Sequence, residues 1–126
     1  ALTRMFCCIS DSAIERVKTE GLFHPLVEAG ALTHVWLGEH KPPAENLAAF
    51  VIKTFQNTQN AQIAFSPEFT SCLSCGRTAR GLSDTCVYCH SPDVEGITRV
   101  TGFFSKTSGW NKGKLGELKE RTKNII

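Results

Sequence analysis

The stretch CLSCGRTARGLSDTCVYC, residues 72–89, decides how the rest of this 126-residue chain is read. It holds two Cys-x-x-Cys pairs, Cys72 with Cys75 and Cys86 with Cys89, separated by ten residues. A Cys-x-x-Cys turn brings two thiolates to one ion, and two such turns complete a tetrahedron with zinc–sulfur distances of ~2.3 Å. The intervening loop is polar and carries glycine, as the hairpin of a zinc ribbon requires. Gly76 follows the first pair, where backbone of positive φ is often needed. The spacing therefore predicts a structural Zn2+ site with Cys72, Cys75, Cys86 and Cys89 as ligands. Iron in a rubredoxin-like site is the other metal such a tetrahedron suits, and reduced thiols or disulfides are the remaining reading. Four thiolates leave no position for a metal-bound water, so hydrolytic zinc chemistry is not expected. His90 would be a fifth ligand and reads as an ordinary exposed histidine. Leu73, Leu82 and Val87 are the module's few apolar residues. Metal, which supplies on the order of 10 kcal/mol in structural sites, is expected to hold it.

Around this module the composition, 41% hydrophobic and 21% charged, is that of a globular chain. It points to one domain, or one compact unit with an appendage. No apolar run approaches the ~20 residues that cross a membrane, and ALTRMFCCIS lacks the features of a signal peptide. With paired rather than scattered cysteines, the expected compartment is the cytoplasm. The net charge of +2 hides an asymmetry: residues 1–98 carry seven Lys/Arg against ten Asp/Glu, and residues 99–126 carry seven against two. The basic tail is read as a polyanion-binding or partner-docking surface, or as a solvated helix.

Upstream, TRMFCCIS (3–10) reads as a buried strand that includes Cys7 and Cys8. SDSAIERVKTE predicts a helix, with Ser12 and Glu15 at capping-box spacing and Ile14 and Val17 on one face. A strand is expected over 32–37. KPPAENLAAFVIKTFQN predicts a second helix, with Pro43 in its first turn and Leu47, Val51 and Phe55 stacked. QIAFS (62–66) closes a β-α-β-α-β unit whose open edges suit a portion of a larger barrel. The expected fold class is thus α/β, in three segments. Residues 1–67 form a barrel-derived segment, and 68–92 the four-cysteine zinc-ribbon-like module. Residues 93–126 hold a strand, a glycine-containing loop and a basic C-terminal helix.

The loop RVTGFF (99–104) and the following WNKGK (110–114) stand in a telling order after the cysteines. From Cys72, Cys75, Cys86 and Cys89 through Arg99, Val100, Gly102 and Phe103 to Asn111, Gly113 and Lys114, the chain resembles the C-terminal region of class III anaerobic ribonucleoside-triphosphate reductases. EGLFHPLVEAGALTHVWLGE (20–39) also looks like the barrel segment that precedes that module. The likeness runs over nearly the whole chain and is most specific over 66–121. Thr101 and Phe103 depart from many family members, which often carry tyrosine after the glycine. A role resting on a tyrosyl hydroxyl at 103 would be lost.

The resemblance implies that Gly102 stores a stable radical on its α-carbon, installed by a separate activase that uses S-adenosylmethionine and an iron–sulfur cluster. It further implies that the radical passes to a cysteine on the remaining barrel region or large subunit, which also binds most of the ribonucleoside triphosphate. Cys7 and Cys8 do not match that cysteine in context. The chain is therefore expected to be a fragment, a split subunit or a spare-part protein, inactive alone. Trp110 and Asn111 would fix the loop, and Arg99 and Lys114 would orient it or meet the activase, against plain solvation. The competing reading is a non-enzymatic zinc-ribbon module that binds nucleic acid or a protein partner. It would need basic and aromatic side chains interleaved on one face.

Overall fold

The computed structural model describes residues 12–100 and 102–126. The expected strand at 3–10, with Cys7 and Cys8, and Thr101 lie outside them. Helix α1 (Ala13–Gly21) begins where the Ser12 Oγ accepts the Glu15 N–H at 3.4 Å. Its packed face is Ala13, Arg16, Val17 and Glu20; Ile14, expected beside Val17, is 56% exposed. A short 3-10 turn (His24–Leu26) leads to strand β1 (Thr33–Gly38), buried at all six positions. Helix α2 (Ala44–Asn57) takes Pro43 as its N-cap rather than within its first turn. Thr54 is buried and Leu47 and Val51 half-buried, whereas Phe55 is 47% exposed, against the predicted stripe. Seven residues return to within ~20° of the starting face, but eight drift by ~80°. Strand β2 (Ile63–Pro67) pairs with β1, and Phe65 meets Phe50 edge-on at 5.9 Å.

Two compact units emerge. The first takes in residues up to Trp36, Lys41–Phe65 and Arg121–Ile126. Its interior combines Ala13, Val17, Val35 and Trp36 with a buried polar network. The Thr33 hydroxyl donates to Asn60 Oδ1 at 2.7 Å, and Asn60 Nδ2 donates to the Val17 carbonyl and, at 2.7 Å, to the Thr58 Oγ1. His24 Nδ1 accepts the Ala61 N–H at 2.9 Å, so its Nε2, 3.4 Å from the Thr33 Oγ1, carries the proton. A buried polar group needs such partners, because an unmade hydrogen bond there costs about 1–3 kcal/mol. Gly21 is required by this packing, since a Cβ would lie 2.7 Å from Asn60 Nδ2. The tail closes the unit: Asn124 N–H donates to the Trp36 carbonyl at 2.7 Å, and the Arg121 guanidinium lies 3.8 Å from the Trp36 ring centroid.

The second unit comprises Leu37–His40 and Ser66–Glu120. It is built on a four-stranded antiparallel sheet in the order β4-β3-β5-β6. The strands are β3 (Phe69–Cys72), β4 (Thr78–Arg80), β5 (Val94–Arg99) and β6 (Phe104–Lys106), followed by helix α3 (Lys112–Glu120). Its fully enclosed positions are largely polar, among them Ser66, Glu68, Thr70 and Thr98, alongside Cys72 and Cys86. Leu73 and Val87 are exposed, leaving the cysteine module even less apolar interior than its composition promises. The chain is thus mixed α/β with sheets and a cluster of four cysteines. No helix among the described residues is long and apolar enough to cross a membrane.

Candidate metal centre and glycine turn

The two cysteine pairs fold into matched knuckles. In the first, Cys72 N–H donates to the Arg77 carbonyl at 2.9 Å, and Gly76 N–H to the Cys72 carbonyl at 3.0 Å. In the second, Cys86 N–H donates to the Ser91 carbonyl at 2.9 Å, and His90 N–H to the Cys86 carbonyl at 2.9 Å. Each knuckle turns on a left-handed residue, Gly76 at φ 72° and His90 at φ 58°. Glycine tolerates that region freely and histidine at a cost. His90 is exposed and joins no ligand cluster, as its sequence position predicts. Its backbone role went unread, although superposing CLSCGR on CVYCHS puts it opposite Gly76.

The knuckles bring all four sulfurs within 4.8 Å of one another. Cys72 and Cys89 Sγ are 3.6 Å apart, and Cys75 and Cys86 Sγ 3.7 Å. A tetrahedron of ~2.3 Å metal–sulfur bonds has edges of ~3.8 Å, which these two pairs match, and the four sulfurs together could hold one zinc ion. Backbone amides already point at the sulfurs: Cys75 N–H at Cys72 Sγ and Tyr88 N–H at Cys86 Sγ, each at 3.4 Å. These donors favour thiolate. The N–H groups of Cys89 and Tyr88 draw Cys86 down to about 6, and that of Cys75, above all, lowers Cys72. At Cys89 the Ser91 N–H acts the same way, but burial and the facing thiols of Cys72, Cys86 and Cys75 outweigh it and push the group up to about 12. Four sulfurs this close ionise together only around a cation. Cys72, Cys75, Cys86 and Cys89 would hold Zn2+ as a closed, structural site.

The second feature lies at the far end of β5. Between β5 and β6 the Val100 N–H donates to the Phe103 carbonyl at 2.9 Å. Gly102 is exposed there, and an added Cβ would meet nothing within 4 Å. Among the described non-glycine residues only His90 has positive φ. Arg99, paired with Phe104 in the ladder, lays its guanidinium 4.7 Å from the Phe104 ring centroid. Its Nη1 donates to the Gly102 carbonyl at 3.2 Å. The WNKGK segment braces the same turn. Asn111 Oδ1 accepts the Lys114 N–H at 2.8 Å and starts α3, Trp110 Nε1 donates to Ser105 Oγ at 2.8 Å, and Lys114 Nζ donates to the Val100 carbonyl at 3.3 Å. Lys114 is buried and paired with Glu117 at 2.6 Å, so it is not a solvated cation.

Matched knuckles at the root of an antiparallel sheet gather four cysteines that could hold one metal ion, and the same sheet carries a braced glycine turn. The sequence profile of the anaerobic ribonucleoside-triphosphate reductase family matches residues 7–123, and the chain belongs to that family. No curated protein matches it. Among solved structures, an anaerobic ribonucleotide reductase aligns at a TM-score of 0.68 and 21% identity over 90% of this chain. The Thermotoga maritima anaerobic ribonucleotide reductase with MES in the active site aligns at 0.59 and 22% over 78% of this chain. The same enzyme in complex with dATP and CTP aligns at 0.55 and 19% over 82%. At these identities the likeness is one of fold. The chain spans 18% of the first of these structures and 16% of the other two.

Proposed function

We propose that this chain is the glycyl-radical-bearing C-terminal part, or a split subunit, of an oxygen-sensitive anaerobic ribonucleoside-triphosphate reductase that makes deoxyribonucleotides. In this reading residues 1–67 are barrel-derived, 68–92 form the zinc module, and 93–126 carry the radical loop and its helix. The observation that carries it is Gly102. Turn glycines are ordinarily kept for positive φ or for close packing, and no close packing is found at 102 among the described residues. Gly109 and Gly116 are equally uncrowded, but neither has its carbonyl held by a cation in a turn braced from both sides.

The chemistry of an α-carbon supplies the missing reason. Gly102 loses one Cα hydrogen atom to a carbon radical, which a separate activase makes by passing one electron from an iron–sulfur cluster into S-adenosylmethionine. The α-carbon becomes planar and shares its unpaired electron with the flanking amide nitrogen and carbonyl. Gly102 later takes a hydrogen atom back from a cysteine thiol of the remaining reductase region, and the resulting thiyl radical attacks the substrate ribose. Among the described residues nothing crowds a Cβ at Gly102, so in this reading any close approach to it comes from that partner. Anaerobic treatment with activase and S-adenosylmethionine should produce an electron paramagnetic resonance doublet. G102A should keep its zinc and its fold and lose the doublet. A doublet that persists in G102A, or none in the unaltered chain, overturns the reading.

A second reading has one observation in its favour. Arg80, Phe69, Arg99, Phe104 and Lys106 share one face of the sheet by register, with Arg80 5.7 Å from the Phe69 ring centroid. Alternating cations and aromatic rings suit single-stranded nucleic acid. Salt-sensitive binding to single-stranded DNA tests it, and no binding at low salt removes it.

A further inference from the structure

We infer that Arg99 is a positioning residue for Gly102, setting the orientation and electron demand of the carbonyl that shares the unpaired electron. The inference rests on the radical reading above and adds the residue that conditions it. Three observations converge on Arg99. Its Nη1 donates to the Gly102 carbonyl at 3.2 Å. Its planar group stacks on Phe104, the residue paired with it across the β5–β6 ladder, so the fork is held by a ring that the sheet itself positions. Its Nε is buried without a partner among the described residues, so the side chain is committed to this pose rather than spread over solvent contacts.

The chemical consequence follows from the radical's electronic structure. A glycyl α-carbon radical is stabilised by an electron-donating amide nitrogen on one side and an electron-withdrawing carbonyl on the other. A cation hydrogen-bonded to the carbonyl oxygen increases that withdrawal. Such a charge-assisted bond is about twice as strong as a neutral one. The same bond fixes the plane of the Gly102 carbonyl, and delocalisation requires that plane to coincide with the plane of the radical carbon. Lys114 acts elsewhere: its Nζ holds the Val100 carbonyl, which lies outside the conjugated unit of Gly102. The two cations therefore separate cleanly into one that braces the turn and one that touches the conjugated carbonyl. Lysine at 99 would keep a charge but not the rigid, stacked fork.

The test uses the full chain labelled with [1-13C]glycine, unaltered and as R99Q, R99K and K114M, with zinc content measured for each. After anaerobic activation, R99Q is expected to change the carbonyl 13C hyperfine coupling of the doublet. It should also lower the radical yield roughly ten-fold, the lower end of the range for one charge-assisted hydrogen bond. R99K should fall between R99Q and the unaltered chain. K114M should leave the 13C coupling unchanged whatever it does to yield. Should R99Q fail to hold zinc, R99K is compared by the 13C chemical shift of the Gly102 carbonyl in the resting protein, where an upfield shift is expected. An unchanged coupling in R99Q, or an unchanged resting shift in R99K, overturns the inference. A missing doublet in the unaltered chain overturns the radical reading instead, and the resting shift still decides whether Arg99 holds the carbonyl.

Discussion

The matched knuckles make a paired prediction with opposite signs. Gly76 and His90 occupy equivalent left-handed positions, at φ 72° and 58°. An added Cβ at Gly76 would meet nothing within 4 Å, so G76A incurs only the backbone cost of an L-residue in that region. That cost is about 1–2 kcal/mol. H90G removes the same strain and adds glycine's extra chain entropy of about 0.5–1 kcal/mol, for a net gain of about 0.5–1 kcal/mol. The exposed His90 ring leaves little packing to lose. In a module with so little apolar interior, folding and zinc binding are one process, so these energies enter the zinc affinity directly. With the same chain-entropy term offsetting part of the G76A cost, and at about 1.4 kcal/mol per tenfold, G76A should bind zinc about 2–5-fold more weakly and H90G about 2–5-fold more tightly. Competition against a chromophoric chelator at fixed neutral pH measures both. Wild-type affinity in G76A, or weakened affinity in H90G, would refute the equivalence of the two knuckles.

Three further outcomes follow from the same geometry. Zinc affinity should fall with acidification, and more steeply below pH 6. There the Cys86 thiol, drawn to about 6, must also give up a proton, whereas Cys89, held at about 12, releases one throughout; chelator competition across that range measures the slope. In the first unit burial holds His24 below its usual range, so its neutral form stabilises the fold above the unfolded value of 6.5 and that stability is lost as pH falls. Glu20, raised chiefly by burial, works in the opposite direction. Urea unfolding at descending pH should therefore show a smaller loss for H24Q than for the unaltered chain. Finally, G21A drives a methyl to 2.7 Å from Asn60 Nδ2 and 3.2 Å from the Thr58 Cβ. Overpacking of about 1–3 kcal/mol, less the helix preference of alanine of about 1 kcal/mol, should leave it roughly 1 kcal/mol less stable to urea.

The cysteine spacing and the order of RVTGFF and WNKGK were legible because each is a local pattern with one physical meaning. Periodicity was weaker. It located α1 and α2 but misplaced their packed faces at Ile14 and Phe55. In α2 a stripe read in steps of four rotates away from the seven-residue spacing of Leu47 and Thr54, and in α1 the packed face runs through the charged Arg16 and Glu20, which a hydrophobic stripe passes over. Arg99 and Lys114 read as cations that orient the loop or meet the activase, against plain solvation. Their carbonyl partners sit in a turn whose closure depends on β5–β6 pairing, and no run of sequence states that register. The left-handed backbone of His90 was hidden by its side chain, which draws attention as a ligand rather than as a stand-in for glycine.

A single strand connects the two features. Val94 at the start of β5 pairs with the ligand Cys72, and Arg99 at its end pairs with Phe104 beside the glycine turn. Five residue steps of ~3.3 Å put the metal knuckle and the turn ~17 Å apart along one strand. Between them Phe69 pairs with Ile97, and the enclosed residues Thr70 and Thr98 are polar, so the sheet has little apolar burial of its own to fix that register. The knuckle hydrogen bond from Cys72 N–H to the Arg77 carbonyl adds a constraint at the end of β3, which pairs directly with β5. Arg99 reaches the Gly102 carbonyl only if β5 and β6 keep the pairing of Arg99 with Phe104. Under the proposed function, a metal held by the four cysteines at one end of β5 would thereby bear on the geometry of the Gly102 backbone at the other.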